Sequence, residues 1–464
     1  MTPAADPGAA AQDLLAVADH WCTEATRLGV EYVQVFVEAA ADLRFDCMVR
    51  DGAARTSGST TNRRAGVGVL VRHRDSWWYG SAPLTEAATL ADQMSTIAGL
   101  GRPHTPPAPA PLPFSHGPSP WPQALATGAA EQWCAAPEQV RVTLTQDFFQ
   151  RWRAVADSRG IRQLTANLGS RQRCAAVVTG PGSTARAFTR LSSPAWTPQT
   201  PTSDLVASAG HLTRDAVARA RALLPARPAG HRRTPVVLAP KVGAALLHEL
   251  IGHALEADNH AKLAARPTGF GDTTVCKAPL RLVDDPTVPD GAGSTPVDDD
   301  GTPASATTLV DDGVIAGELT SMRAVYPDAE PSTGNGRRED YTKAALPRAT
   351  NTVVLPGPDR PEDLCAVPRE GLLYVASLSS AETVATRDEF CFSAGEAYYL
   401  TPAGERMPLR DVNLFGDTRE TLRRLVGIAD DVEGDNATCG KQGQQVLIGL
   451  HSPTMRFAEL DWWC

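Results

Sequence analysis

The sequence predicts an α+β protein, with an α/β N-terminal half built in two segments and a strand-rich, barrel-like or sandwich C-terminal half carrying one histidine-bearing helix. Three observations lead there. Residues 10 to 100 alternate helical and strand-like runs. Residues 123 to 225 mix helix with short apolar strands. From residue 231 onward a single helix is followed by short strands joined by Gly-, Pro- and Asp-rich connections.

The first unit, residues 1–100, opens with a helical run, continues through the strand-like EYVQVFVEA and GVGVLVRHRDSWWYG, and closes with the helical TEAATLADQMSTIAGL. Residues 101–122 follow as a connector, with nine prolines between Pro103 and Pro122. That composition favours extended polyproline II and excludes a regular helix or central strand. Residues 123–230 form a middle segment that completes the N-terminal half, with the strand CAAVVTG and the helix TRDAVARARALL. The C-terminal region, 231–464, runs from the strand TPVVLAP through the histidine helix to short strands such as LLYVASLSS, AYYLTP and QQVLIGL.

The chain has 464 residues, 42% of them hydrophobic, and a formal net charge of -9. Its length allows a large core, and its acidic balance, with no basic stripe, excludes the usual footprint of a nucleic-acid binder. No run of about 18 apolar residues predicts a membrane span, and the N-terminal residues lack the basic start and apolar stretch of a secretory signal, so the expected location is cytoplasmic. Nine cysteines, widely spread and without a CxxC pair, fit reduced thiols, with at most one a metal ligand. No phosphate-binding glycine loop and no internal repeat is present.

The stretch ALLHELIGHALEADNH, residues 245 to 260, concentrates three of the ten histidines. After Pro240, Leu247, Leu250, Ile251 and Ala254 fall on one buried helical stripe, while Glu249, His253, Glu256 and His260 fall on a second. His248, Glu249 and His253 read HExxxH, one residue longer than the HExxH of zinc peptidases. On a regular helix an i,i+5 pair diverges by roughly 140°, so a shared metal requires a locally widened helix. Gly252, directly before His253, is the residue expected to tolerate such a turn. Chance alone gives about one HExxxH per hundred chains of this composition. The same residues also read as surface imidazoles on an amphipathic helix.

The further motifs VDDDGTPA (297–304), TGNGRREDY (333–341), PRATNT (347–352), FSAGEAYYL (392–400), and TCGKQGQ (438–444) followed by SPTMR continue in order after the helix. Together with HELIGHALEAD they resemble the TldD/PmbA family of peptidases, once described as modulators of DNA gyrase. GVEYVQVFVE and DGAARTSGSTTNRRAGVGVLV resemble the family's opening domain more loosely, so the resemblance covers about residues 28 to 457. The proline-rich connector and the tail AELDWWC have no counterpart, and Ala257 stands where the family commonly has glycine.

The resemblance implies a TldD-type subunit, because PmbA-type (TldE) partners lack the HExxxH. It implies a zinc ion held by His248, His253 and Cys439, with Glu249 as the general base acting on a metal-activated water. Two imidazoles and a thiolate leave a fourth tetrahedral position open, as catalytic zinc sites do. Read without the resemblance, Cys439 is a small buried thiol, and Glu256 or His260 compete as local ligands by helical spacing. Glu256 and Asp258 otherwise fit roles orienting an imidazole. Asn335, Arg337 and Arg338 read either as donors for a peptide carboxylate or carbonyl, or as a solvated turn. The expected substrates are short or unfolded peptides or peptide-like precursors, bound extended between the halves. The expected partner is a PmbA/TldE-type subunit in a heterodimer, with a homodimer second. A hydrolase dedicated to one biosynthetic amide or peptide intermediate and a non-catalytic regulatory subunit are the alternatives.

Overall fold

A computed structural model describes residues 7–50, 53–97, 101–106, 138–193, 201–264, 273–326, 331–384 and 389–464. Residues 107–137, which hold most of the connector expected at 101–122 and the start of the middle segment, lie outside the described residues.

The N-terminal half contains α1 (Pro7–Arg27), β1 (Tyr32–Arg50), β2 (Ala53–His73), β3 (Ser76–Pro83), α2 (Ala87–Ile97), β4 (Gln139–Asp157), β5 (Arg162–Gly180), β6 (Ser183–Ser193) and α3 (Thr202–Ala222). All six strands join one antiparallel sheet in the order β3-β2-β1-β4-β5-β6. The join is β1 against β4, from Gln34 opposite Asp157 to Arg50 opposite Arg141. The run GVGVLVRHRDSWWYG is a hairpin rather than one strand. Arg74 and Asp75 turn it with φ of 50° and 61°, the positive pair that a tight two-residue hairpin needs, though neither is the glycine or asparagine that would mark it.

Strand alternation divides the sheet into two faces. Val33, Val35 and Val37 of β1 and Val67, Val69 and Val71 of β2 are buried in one cluster with Leu14, Trp21 and Leu90 from α1 and α2. Further along, Leu43, Phe45, Val142 and Leu144 pack against Leu205, Ala209 and Ala216 of α3. The opposite face is polar and turns to the C-terminal half: Glu38 accepts from the Tyr341 amide, Arg151 donates to the Glu339 carbonyl, and Arg153 pairs with Asp299.

The C-terminal half has two sheets. β7 (Arg232–Leu238) lies parallel to Leu372–Val384 and antiparallel to Met455–Trp463. The ring then continues through Asn413–Asp417 and Glu389–Leu400 and returns to Leu372–Val384, closing a five-stranded barrel. Its interior is apolar, with Val236, Leu373, Phe392, Phe457 and Trp462 fully buried. A second sheet runs in the order Val314–Ile315, Thr307–Asp311, Leu282–Asp284, Asn351–Val354, Gln444–Ser452, Glu433–Lys441, so the last strand is an edge. Among the described residues no helix is long and apolar enough to cross a membrane.

Candidate metal centre

The histidine helix starts where β7 ends. Lys241 adopts a left-handed conformation, φ 67°, that breaks the strand. Its amide donates to the Ser452 carbonyl, and the Ser452 hydroxyl accepts from the Ala244 amide, satisfying one of the free donors of the first turn. α4 (Val242–Leu247) then packs on the strands Gln444–Ser452, Asn351–Val354 and Leu372–Val384. Gly243 permits this closeness: a Cβ there would stand 2.2 Å from the Met455 sulfur. Leu246, Leu247, Leu250, Ile251 and Leu255 are buried to 2% exposure or less, each worth about 1.5–3 kcal/mol, so this segment is anchored as core.

At His248 the helix widens. Residues His248–Gly252 form a π turn, in which the His253 amide donates to the His248 carbonyl five residues back, and His253–Leu255 tighten into a 3₁₀ turn. The five-residue spacing is thereby converted into one turn. The two imidazole rings lie 4.8 Å apart, edge to face. Gly252 is in ordinary helical geometry (φ −52°, ψ −56°), and a Cβ on it would meet His248 Nδ1 at 3.5 Å, an ordinary contact. The turn therefore does not depend on glycine.

Cys439 arrives on the edge strand Glu433–Lys441, 186 residues downstream of His253. The donor atoms of His248, His253 and Cys439 all lie within 4.8 Å of one another, and among the described residues they form the one such group of three or more. Small side-chain adjustments bring that span within reach of one ion with bonds of about 2.0–2.3 Å. His248 directs Nδ1 at the Thr352 hydroxyl, 2.9 Å away, while its Nε2 is buried without a hydrogen-bond partner. A buried, unpartnered imidazole nitrogen is costly unless it binds something. It fits a metal ligand, as do the nitrogen and sulfur beside it.

His253 places Nδ1 2.9 Å from Glu256 Oε2 and Nε2 3.3 Å from Cys439 Sγ. An ionised carboxylate only accepts, so the proton on Nδ1 is fixed and Nε2 faces the sulfur. Burial disfavours charge on His253, but Glu256 and Cys439 outweigh it and raise the pKa well above the usual imidazole range. Burial likewise raises the Cys439 thiol, but His248 and His253 more than offset it and bring the thiol down to about 4. Glu249 stands outside the trio and is raised chiefly by burial; the Thr383 hydroxyl approaches its Oε2 at 3.5 Å.

Two residues not singled out in the sequence complete the centre. The Arg348 guanidinium, fully buried, donates to the Cys439 sulfur at 3.1 Å and to the Cys439 carbonyl at 2.7 Å. Lys441, two residues beyond Cys439 and on the same strand face, holds Glu256 at 2.7 Å and Asp258 at 2.5 Å. Both lie within motifs quoted above, PRATNT and TCGKQGQ, and that membership was the only signal for them in the sequence.

The other expected site residues take different places. Glu256 is buried under His253. Asp258 bonds Lys441 and Gln442, and His260 turns away to Glu318 at 2.7 Å. Asn335 bonds Asp284 and the Arg348 carbonyl, and Arg337 donates to the Ala349 and Leu447 carbonyls. Arg338, 2% exposed, bonds Gln34 of β1 and the Asp299 carbonyl and Asp300 carboxylate, and lies over the Phe36 ring at 4.3 Å. These three expected donors for a peptide thus bond their own chain, Arg338 holding the two halves together.

Residues 231–462 match the family model of the PmbA/TldA metallopeptidase C-terminal domain. The "Metalloprotease TldD homolog" of Haemophilus influenzae is 33% identical over 237 residues, 51% of this chain and 48% of that protein. The "Zinc metalloprotease TldD homolog" of Saccharolobus solfataricus is 28% identical over 229 residues, 49% and 50% of the two chains. This chain therefore spans about half the length of the curated relatives it matches. Two solved structures share the fold across nearly the whole chain. A Thermotoga maritima protein described as a modulator of DNA gyrase has a TM-score of 0.72 at 17% identity, covering 96% of this chain and 98% of its own. TldE from Thermococcus kodakarensis has 0.70 at 16%, covering 98% and 100%. With half its length matched by the family model, and with the HExxxH helix and the TCGKQGQ strand meeting in one centre, the chain belongs to the TldD/PmbA family.

Proposed function

We propose that the chain is a zinc-dependent peptidase that hydrolyses short or unfolded peptides or peptide-like precursors. The observation that carries this reading is the buried, unpartnered Nε2 of His248, set beside His253 and Cys439 with a glutamate next in sequence. His248, His253 and Cys439 would hold the zinc. When bound, zinc supplies a Lewis acid that polarises the scissile carbonyl and acidifies water. Glu249 is the general base: its carboxylate takes a proton from the attacking water and hands it to the leaving amine nitrogen. Glu256, clamped by Lys441, keeps the proton on His253 Nδ1 and so holds Nε2 ready as a ligand.

The substrate lies extended between the N-terminal sheet and the C-terminal half, where an unpaired sheet edge, the Cys439 strand, offers main-chain groups. A PmbA/TldE-type subunit is the proposed partner, supported by the shared fold with TldE. Metal analysis of the purified chain, alone and with such a subunit, tests the ligand set. One zinc per chain is expected, with sharp loss on Cys439→Ser. Metal lost in Glu256→Gln or His260→Ala but kept in Cys439→Ser would replace this set with a local one.

A further inference from the structure

The polar face of the N-terminal sheet walls two cavities, of about 570 and 740 Å³, that lie along the same boundary with the C-terminal half. Val446, paired in register with Cys439, lines the first; Ala245, one turn before His248, lines the second. Each cavity is therefore lined by a residue next to the metal centre.

The charges in the first cavity are unevenly shared. Arg64 pairs with Asp42 at 2.7 Å and Glu38 at 3.3 Å, Arg151 with Glu38 at 2.6 Å, Arg153 with Asp299, and Arg338 with Asp300 at 3.3 Å. Arg44 and Arg171 instead converge, together with Arg173 from the lining of the second cavity, on one carboxylate, Asp147, at 2.7, 3.5 and 3.0 Å. Asp42 and Asp46 also act on Arg44, which leaves Arg171 the least compensated. Its Nε, the atom 3.5 Å from Asp147, is buried and makes no hydrogen bond, as holds for the Nε of Arg173 and Arg153. Burial first, then the Arg173 and Arg44 charges, hold Arg171 below the usual guanidinium range despite Asp147. In the second cavity Arg190 is matched by Asp435 and Arg219 by Asp215, and Phe188 and Leu378 give the wall apolar character.

We propose that Arg171, flanked by Arg44 and Arg173, is a subsite for a carboxylate of the bound peptide, so that this chain selects acidic peptides. The proposal rests on the peptide-binding reading above. A guanidinium that shares its one carboxylate with two other arginines gains from a forked bond to a further Glu or Asp. The second cavity, lined by Phe188 and Leu378 as well as by Arg173 and paired charges, adds apolar contact for the same peptide.

Calorimetry on the zinc-loaded Glu249→Gln chain, which should bind without cleaving, provides the test. The probes are an unfolded peptide carrying three glutamates on one side of an apolar pair and the same peptide with glutamines. The glutamate peptide should bind at least about tenfold tighter, equivalent to about 1.4 kcal/mol. Arg171→Gln should erase that ratio and leave affinity for the glutamine peptide unchanged, which also certifies the fold. Equal affinities in the parent chain, or a preference that survives Arg171→Gln, would overturn the subsite. Binding of neither peptide would overturn it together with the peptide reading, whereas selective binding without cleavage by the wild-type chain would count against hydrolysis alone.

Discussion

At Cys439 burial pushes the thiol up, but His248 and His253 beside the sulfur outweigh it and bring the thiol down to about 4, while the buried Arg348 donates to the same sulfur at 3.1 Å. His253 moves the other way, held protonated by Glu256. Metal binding at pH 7 must then displace a proton from His253 but none from Cys439. Calorimetry in buffers of different ionisation enthalpy should report about one proton released per zinc; none would mean that His253 is not protonated in the metal-free chain. The same shifts set the stability of the metal-free chain. Glu256, lowered in the fold, stabilises above the ordinary carboxylate value of 4.5 and loses this as pH falls through its folded pKa; His253, raised, stabilises below 6.5 and loses it as pH climbs through its own. Glu256→Gln should weaken zinc by about 10–100-fold, less than Cys439→Ser, in a competition with a chromophoric chelator. Spacing singles out His248, Glu249 and His253 as a group, and the family resemblance is what suggests ligand roles for the two histidines and a base role for Glu249. Spacing does not single out Cys439, because 186 residues separate it from His253, and only the order of the family motifs points to it. Arg348 and Lys441 are illegible for a different reason: a basic residue in sequence carries no sign of being buried.

The π turn is the element on which the centre depends. A regular helix through HExxxH would point its imidazoles apart, so the spacing itself requires the widened turn. What the spacing does not reveal is which glycine matters. Gly252 has room for a Cβ and Gly243 has none. Gly252→Ala should keep zinc and change stability by less than about 1 kcal/mol. Gly243→Ala should force the fully buried Met455 aside at a cost of about 1–3 kcal/mol. Chemical denaturation of the two variants distinguishes them; equal effects would mean that α4 does not rest on Met455 as described. Strand elements were legible where alternation is regular, as in β1, and not where a turn lacks glycine or asparagine, as at Arg74 and Asp75.

Across the whole molecule, an antiparallel sheet with a helical face and a polar face is set against a barrel and a second sheet, and the boundary between them carries buried charge. Arg338 is the clearest case, with partners on both sides of that boundary. Arg338→Ala leaves the Asp300 carboxylate buried without its cation and should cost about 3–5 kcal/mol, read by denaturant unfolding. Breaking an exposed pair such as Arg360 with Asp363 should leave the unfolding midpoint essentially unchanged, because solvent screens it. The strand-rich C-terminal half and its mixed class follow from composition and short apolar runs. Closure into a five-stranded barrel does not, since it is made by pairings between strands far apart in sequence. The account stands or falls on hydrolysis at this centre. The decisive measurement is the rate at which new amino termini appear in an unfolded peptide, followed by mass spectrometry with zinc-loaded wild-type and Glu249→Gln chains, each alone and with a PmbA-type subunit. The account predicts cleavage by wild type and a loss of about 10²–10⁴-fold in the variant with zinc retained; a variant that cleaves as fast as wild type, or a zinc-loaded wild type that cleaves nothing in either setting, would contradict it.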